Sequence, residues 1–277
     1  MVTCGRFDFR LRLRAALLAA AICAGAPPAV TQQSPAAPAP KIDVVGTTLR
    51  VRLPDGSMRE GAALVGAVLV VAVGGQTLRI RIAGVEQDAR DPHGEVLLYD
   101  FRVTAPNGEE PLCMPDPDGR RLGLPLAGRS DPAGILSATD GSIFELVCTS
   151  GAQGKCVRFG YAPWRPAPDR RPMIDWYNAC VRLLRGDYCG DGRPFTRDGT
   201  LVDIYDRIGV QKSDEDPSMK FEAAWGPGGA VCVARTRIPD IITLDGLAKS
   251  CPRLADRLGP GACHENVSGG LIINRSR

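Results

Sequence analysis

The chain has 277 residues, 44% of them hydrophobic, 23% charged and 5% aromatic, with 32 Gly, 23 Pro and 10 Cys. This composition excludes a coiled coil, a collagen and a wholly disordered chain, and it points to one or two globular domains. The formal charge is +3, but Arg6, Arg10, Arg12, Arg14 and Asp8 account for it, so the chain beyond residue 26 is formally neutral. Without a basic excess, neither nucleic acid nor an anionic membrane is expected as a partner.

Residues 1–26 carry the four arginines, then an apolar run from Ala15 to Ala24, then small residues, the layout of a secretory signal peptide. The run is shorter than the roughly 20 apolar residues a bilayer span needs. Lipid anchoring at Cys23 is disfavoured by the bulky Ile22 before it and by the missing leucine at the third position upstream. Residues 27–40, with Pro27, Pro28, Pro35, Pro38 and Pro40, read as an extended linker.

A small antiparallel β unit is expected over 41–110. Leu49, Val51 and Leu53 alternate with Arg50 and Arg52 before the turn Pro54-Asp55-Gly56. Val68 to Val73, the turn Gly74-Gly75 and the alternating Leu78, Ile80 and Ile82 make a hairpin, and Leu97, Tyr99, Phe101 and Val103 make a further strand. The apolar stretch from Ala62 to Val73 is too short for a membrane segment, and none is expected in the mature chain.

The rest, 111–277, reads as a Cys-rich domain. Residues 106–141 look like a long irregular connection around Cys113. Two strand-like pieces follow, Ile143 to Cys148 and Cys156 to Tyr161, which a disulfide would close into a hairpin. Met173, Trp176, Tyr177, Cys180, Val181 and Leu184 recur at helical spacing between Pro172 and Gly186. Val202, Ile204 and Ile208 suggest a strand, Phe221–Trp225 and Ala230–Ala234 a second hairpin, and Thr243 the start of a last helix that Pro252 threatens to break. The fold class is therefore α+β and β-rich, with antiparallel sheets, about two helices and disulfide staples.

With Cys4 and Cys23 set aside, eight cysteines remain: Cys113, Cys148, Cys156, Cys180, Cys189, Cys232, Cys251 and Cys263. An even number in an exported chain implies four disulfides. Local pairing would join Cys148 to Cys156, Cys180 to Cys189 and Cys251 to Cys263, leaving Cys113 for Cys232. No Cys-x-x-Cys occurs and His93 and His264 are the only histidines, so neither a zinc site nor thiol redox chemistry is expected.

The stretch from Cys180 to Gly192, which contains Gly186-Asp187-Tyr188-Cys189, then Thr196 to Thr200, then Phe221 to Trp225 with Ala230 to Val233, resembles the ADYC domain family. These are exported bacterial proteins named for an Ala-Asp-Tyr-Cys signature. The match is best over about residues 140–277, and Gly186 replaces the alanine of the signature. The resemblance implies an exported bacterial protein and carries over no catalytic residue.

Asp187, Tyr188, Asp191, Arg193, Arg197 and Asp198 form the candidate functional loop. With Asp203 and Asp206 it offers carboxylates for a cation or for acid/base work. Against that stands routine turn chemistry: Asp-Gly occurs at Asp55, Asp118, Asp140, Asp191, Asp198 and Asp245. Trp164, between Pro163 and Arg165-Pro166, is a candidate recognition residue, whereas Trp176 and Tyr177 read as core. No nucleophile elbow, phosphate loop or His-Glu-x-x-His is present, and no cofactor or metal is expected. The expectation is an exported cell-envelope or extracellular binding or structural module with a protein or glycan ligand. The alternative is an envelope hydrolase using the carboxylates of 187–206.

Overall fold

Alternating apolar residues near the start of the fold bury one face of a three-stranded antiparallel sheet, β1 (Lys41–Val45), β2 (Thr48–Arg52) and β3 (Met58–Glu60). The structure, a computed structural model, describes residues 39–73, 75–105 and 108–277. The segments read as signal peptide and linker, with Cys4 and Cys23, lie outside the described residues except for Ala39 and Pro40.

The second sheet has β4 (Val68–Val73), β5 (Gln76–Gln87), β6 (Leu97–Ala105), β7 (Gly108–Pro111) and β8 (Gly123–Ala127). A two-stranded ribbon, β9 (Arg129–Ser130) and β10 (Leu136–Ser137), precedes its last member, β11 (Phe144–Cys148). The order is β11-β8-β6-β5-β4, with β7 also on β6, so the sheet takes strands from both sides of residue 110. Because side chains alternate across a strand, this sheet serves two cores. Leu69, Ile80, Ile82, Tyr99 and Phe101 meet Val44 and Leu49 of the first sheet and Leu64 of the 3-10 turn Gly61–Leu64. Leu98, Leu124, Leu126 and Val147 join the helices on the other face. The Tyr99 hydroxyl accepts the Leu49 N–H at 3.0 Å and fixes the two sheets together.

The helices are α1 (Ala152–Arg158) and α2 (Met173–Arg185). Beyond α2 lies a four-stranded sheet of β12 (Val202–Asp206), β13 (Lys220–Gly226), β14 (Gly229–Val233) and β15 (Ile272–Ser276), in the order β12-β15-β13-β14. Between β14 and β15 run α3 (Leu244–Ser250) and a 3-10 turn, Pro252–Arg257. Helix α2 buries nine of its thirteen residues, Met173 and the run Trp176–Leu183, because it packs against α1 and the four-stranded sheet. Gly186 ends it at φ +58°. Among the described residues no helix is long and apolar enough to cross a membrane.

The β-rich α+β class and the four disulfides hold, but two local expectations need correction and one strand was not foreseen. Residues 152–158 are helical, because Gly154 passes so close to the Cys148 carbonyl that no Cβ would fit, and the backbone winds onto α2 there. The supposed irregular stretch contains β8, a central strand despite Gly123 and Pro125. A Cβ at Gly123 would sit 2.9 Å from the Val147 carbonyl oxygen. The chain end forms β15, which carries only two adjacent isoleucines and yet lies inside the four-stranded sheet.

The disulfide pairing differs from the local one at every cysteine: Cys113–Cys148, Cys156–Cys180, Cys189–Cys251 and Cys232–Cys263. Pairing follows the tertiary neighbours. Cys156 faces α2 and not the strand before it, and Cys189 leaves the Gly186 turn toward the end of α3. Non-reducing peptide mapping is expected to recover these four pairs. Replacing both Cys156 and Cys180 by Ala should lower unfolding free energy by about 3 kcal/mol, read by denaturant titration.

Candidate functional site

The loop that follows α2 is a latch made from the chain's own backbone. After Gly186 turns the chain, the Asp187 N–H returns to the Arg182 carbonyl at 2.9 Å. The Asp187 carboxylate accepts the Gly190 N–H at 2.9 Å, the Gly192 N–H at 2.8 Å and the Arg182 guanidinium. Both charged side chains are 1% exposed or less. Arg182 also donates to the Ala133 and Pro227 carbonyls. A buried charge pair is tolerated when hydrogen bonds replace its lost hydration, as those to both Asp187 oxygens and from Arg182 Nε and Nη1 do here.

Tyr188 lies in the core, its ring stacked 5.2 Å from Trp225 and 6.1 Å from Phe195. Its hydroxyl donates to Glu222 Oε1 at 2.9 Å and accepts the Arg237 N–H at 2.9 Å. Glu222, fully buried, also accepts Arg237 Nε and Nη2, each at 3.0 Å, and Asn274 Nδ2 at 2.8 Å, while Asn274 Oδ1 takes the Trp225 indole N–H at 2.8 Å. Cys189 is bonded to Cys251. Arg253, two residues on, donates to the carbonyls of Tyr188, Cys189, Gly228 and Ala230. Gly190 touches the Gly228 backbone so closely that a Cβ would overlap its carbonyl oxygen. Asp187, Tyr188 and Cys189 thus each hold the fold together.

The other members of the predicted loop are exposed: Asp191 pairs with Arg193 at 2.9 Å, Arg193 lies over the Phe195 ring, and Arg197 and Asp198 sit at a turn. Asp203 accepts Ser213 Oγ and the Asp214 N–H, and Asp206 accepts the Tyr161 hydroxyl and four backbone N–H groups of 208–211. Of the six Asp-Gly pairs, five place the glycine at positive φ and the sixth, Asp245-Gly246, lies in α3. The carboxylates a hydrolase would need are therefore saturated or scattered on turns. Among the described residues no three His, Cys, Asp or Glu side chains are grouped to hold a metal.

A concave surface exists elsewhere. A cavity of about 300 Å³ is lined by Gly46, Thr48, Glu95, Leu97 and Trp164. The indole packs against Gly46, where φ is +60° and a Cβ would stand 3.3 Å from the ring. Glu95 accepts Trp164 Nε1 at 3.3 Å and pairs with Arg165 at 2.6 Å. The Arg165 hydrogen bond, then that of Trp164, hold the Glu95 carboxyl below its ordinary value. Asp91 fixes the turn by accepting the N–H groups of His93, Glu95 and Val96. Beyond Arg165 a second cavity of about 430 Å³ is lined by Arg90, His93, Phe159 and Gln211. The sequence singled out Trp164 but not Glu95 or Arg165. Nor did it single out Glu222, although a lone glutamate inside Phe221-Glu-Ala-Ala-Trp225 signals a buried charge in need of partners.

Fold and loop together define a disulfide-stapled α+β domain closed around a buried Asp-Tyr-Cys turn. The ADYC domain matches residues 61–239, well over half of the chain, and the protein belongs to the ADYC domain family. No curated protein and no solved structure matches the chain.

Asp187→Asn, which leaves Arg182 buried without its counter-charge, should cost about 3 to 5 kcal/mol of stability. Tyr188→Phe, which strips one bond from Glu222 and one from the Arg237 N–H, should cost about 1 to 3 kcal/mol. Urea titration of both variants checks the order.

All five tyrosines have phenols raised above their ordinary value. Burial is the main cause at each, and at Tyr188, Tyr161 and Tyr205 the carboxylates of Glu222, Asp206 and Glu265 add to it. Unfolded tyrosine ionises near pH 10. Above that pH the unfolded chain sheds protons that the folded one keeps, so the tyrosine contribution is complete below about pH 10 and is lost as pH rises further. Phenolate absorbance should therefore appear together with the loss of circular dichroism. A tyrosine that titrates near pH 10 in the folded protein would contradict this.

Proposed function

We propose that the protein is an exported, non-catalytic binding module of the cell envelope or extracellular space, and that its ligand is a glycan held at the Trp164 cavity. The observation that carries the reading is the fixed pair of Trp164 and Glu95 in the wall of a concave surface, with Arg165 holding Glu95 from the adjoining cavity. An indole offers an apolar platform to the C–H face of a sugar ring. A carboxylate already held in place accepts hydroxyl protons, and a guanidinium donates. A mainly apolar pocket with a few oriented polar groups is the usual anatomy of a small-ligand site.

Export is supported by the arginine-then-apolar start of the chain and by the pairing of all eight cysteines from Cys113 onward, a chemistry that persists in oxidising compartments. On this reading the loop of Asp187, Tyr188, Asp191, Arg193, Arg197 and Asp198 supports the fold and does not meet the ligand.

Fluorescence tests the site directly. Trp176 and Trp225 are buried and Trp164 is half-buried, so a ligand at the cavity changes the emission of Trp164 alone. Titration with soluble peptidoglycan fragments and with a panel of neutral oligosaccharides should give a saturable change in the wild type. Calorimetric titration, which does not use the indole as reporter, should show that the same glycan no longer binds Trp164→Ala, with the folded circular dichroism of that variant retained. No response from any glycan, or a response that survives Trp164→Ala, overturns the reading.

A further inference from the structure

Among the described residues six border strands of the three larger sheets are guarded and one is not. In the first sheet β1 carries Lys41 and Asp43, and β3 is only three residues long. In the second, β7 is Gly-Glu-Glu-Pro, and β11 carries Glu145, whose carboxylate holds the Ser130 N–H and hydroxyl of β9. In the third, β12 has Asp203 and Asp206 occupied by the segment 208–214. Its opposite border β14 meets Leu258, and the Gly259 N–H bonds to the Val233 carbonyl. Charge, brevity and cover are the usual ways of preventing strand addition. The strand β4 ends the six-stranded sheet with the sequence Val-Leu-Val-Val-Ala-Val, and among the described residues no strand pairs with its outer side.

The ladder shows which groups are open. The Ile82 N–H donates to the Ala67 carbonyl at 2.9 Å while the Ala67 N–H returns to the Leu64 carbonyl at 2.9 Å, so the carbonyl alone among the Ala67 backbone groups points at β5. Alternation then turns those of Leu69, Val71 and Val73 the same way, in agreement with the Val73–Gln76 pair that closes the hairpin. The N–H and C=O groups of Val68, Val70 and Ala72 therefore face outward. The side chains of Val68 and Val70 are 41% and 62% exposed, large values for valines in a strand.

We propose that β4 pairs antiparallel with β4 of a second copy, across a two-fold axis through Val70, to join the two six-stranded sheets. The pairing is self-complementary: Val70 lies opposite Val70, Val68 opposite Ala72, and each copy supplies the same three outward residues, for about six new N–H···O bonds. The strand bears no charge, so nothing on it opposes its own image. The nearest cation, Arg79, sits behind Val70 on β5. Three strand spacings separate it from its copy, about 14 Å, beyond the roughly 8 Å screening length at physiological salt. The contact is small, so the dimer forms by mass action at high protein concentration.

Sedimentation velocity on the full chain, from low micromolar to several hundred micromolar, should show the average mass climbing from that of a monomer toward twice that value. Val70→Lys places two ammonium groups opposite each other and should hold the chain monomeric with an unchanged melting temperature, and Val70→Glu likewise. An equimolar mixture of the two should recover the dimer, because opposite charges then face each other across the axis. Should the Val70 variants fail to fold, a chain carrying both Val68→Lys and Ala72→Lys sets ammonium groups opposite each other at two pairs and should likewise stay monomeric. Val65→Lys, on an exposed apolar residue before the strand, should leave dimerisation intact. A wild type that stays monomeric throughout overturns the proposal. So does a Val70→Lys chain that dimerises as the wild type does, or a mixture that stays monomeric.

Discussion

One buried carboxylate organises the second half of this protein. Glu222 sits on β13 with no solvent contact and takes four bonds: two from Arg237, one from Tyr188 and one from Asn274. Removing a carboxylate from water costs several kcal/mol unless charge and hydrogen bonds replace the lost hydration. Here the replacement comes from three separate parts of the chain, namely the turn after α2, the segment after β14 and the last strand. Arg237 is satisfied in turn by the Leu183 carbonyl at the end of α2 and by Thr196. A displacement of any of these elements would leave a charge without its partner, so the network selects one relative placement of helix and sheet.

The Arg182–Asp187 pair extends the same logic along α2. Its carboxylate gathers the Gly190 and Gly192 N–H groups, and its guanidinium reaches the Ala133 and Pro227 carbonyls, so the ribbon connection and the β13–β14 hairpin are drawn to the helix end. In the family signature the aspartate closes the turn, the tyrosine reaches the buried carboxylate and the cysteine ties the turn to the end of α3. Each residue type is required by a bond that a near substitute lacks: asparagine has no charge for Arg182, and phenylalanine has no hydroxyl for Glu222. A signature of this kind marks the architecture.

Elements with one dominant period were legible from the residues alone. The Val68–Val73 run, the alternation through Leu78, Ile80 and Ile82, and the helical spacing from Met173 to Leu184 appear where expected, with Gly186 as the left-handed cap. Elements shaped by close approach were not. Gly123 in β8 falls in the stretch expected to be irregular and Gly154 in α1 falls between two expected strands, whereas both are glycine because a neighbouring carbonyl leaves no room for a Cβ. The strand β15 was hidden because Asn274 and Ser276 are polar, and Asn274 is polar because it serves Glu222 and Trp225. At the candidate loop the acidity of Asp187 and the aromaticity of Tyr188 answer to internal partners, which the residues alone do not reveal. Pairing of cysteines depends on which elements become neighbours, which spacing in the chain does not encode.

The four disulfides do not compensate for a small core, since a domain of this length buries enough apolar surface without them. Their placement follows a topological difficulty. The strand β15 must enter the sheet between β12 and β13, yet about 38 residues separate it from β14, and that segment has little core of its own, with Leu247 and Leu254 as its main buried aliphatic side chains. The Cys232–Cys263 bridge joins β14 to the far end of the segment and shortens the effective loop to about eight residues. Because closure entropy grows with the logarithm of loop length, that shortening lowers the cost of bringing β15 home by roughly 1 kcal/mol. The Cys189–Cys251 bridge fastens the middle of the same segment to the signature turn. Half of the covalent framework thus serves to deliver one short, polar, sequence-distant strand, and that strand in turn supplies Asn274 to the carboxylate on which the sheet depends.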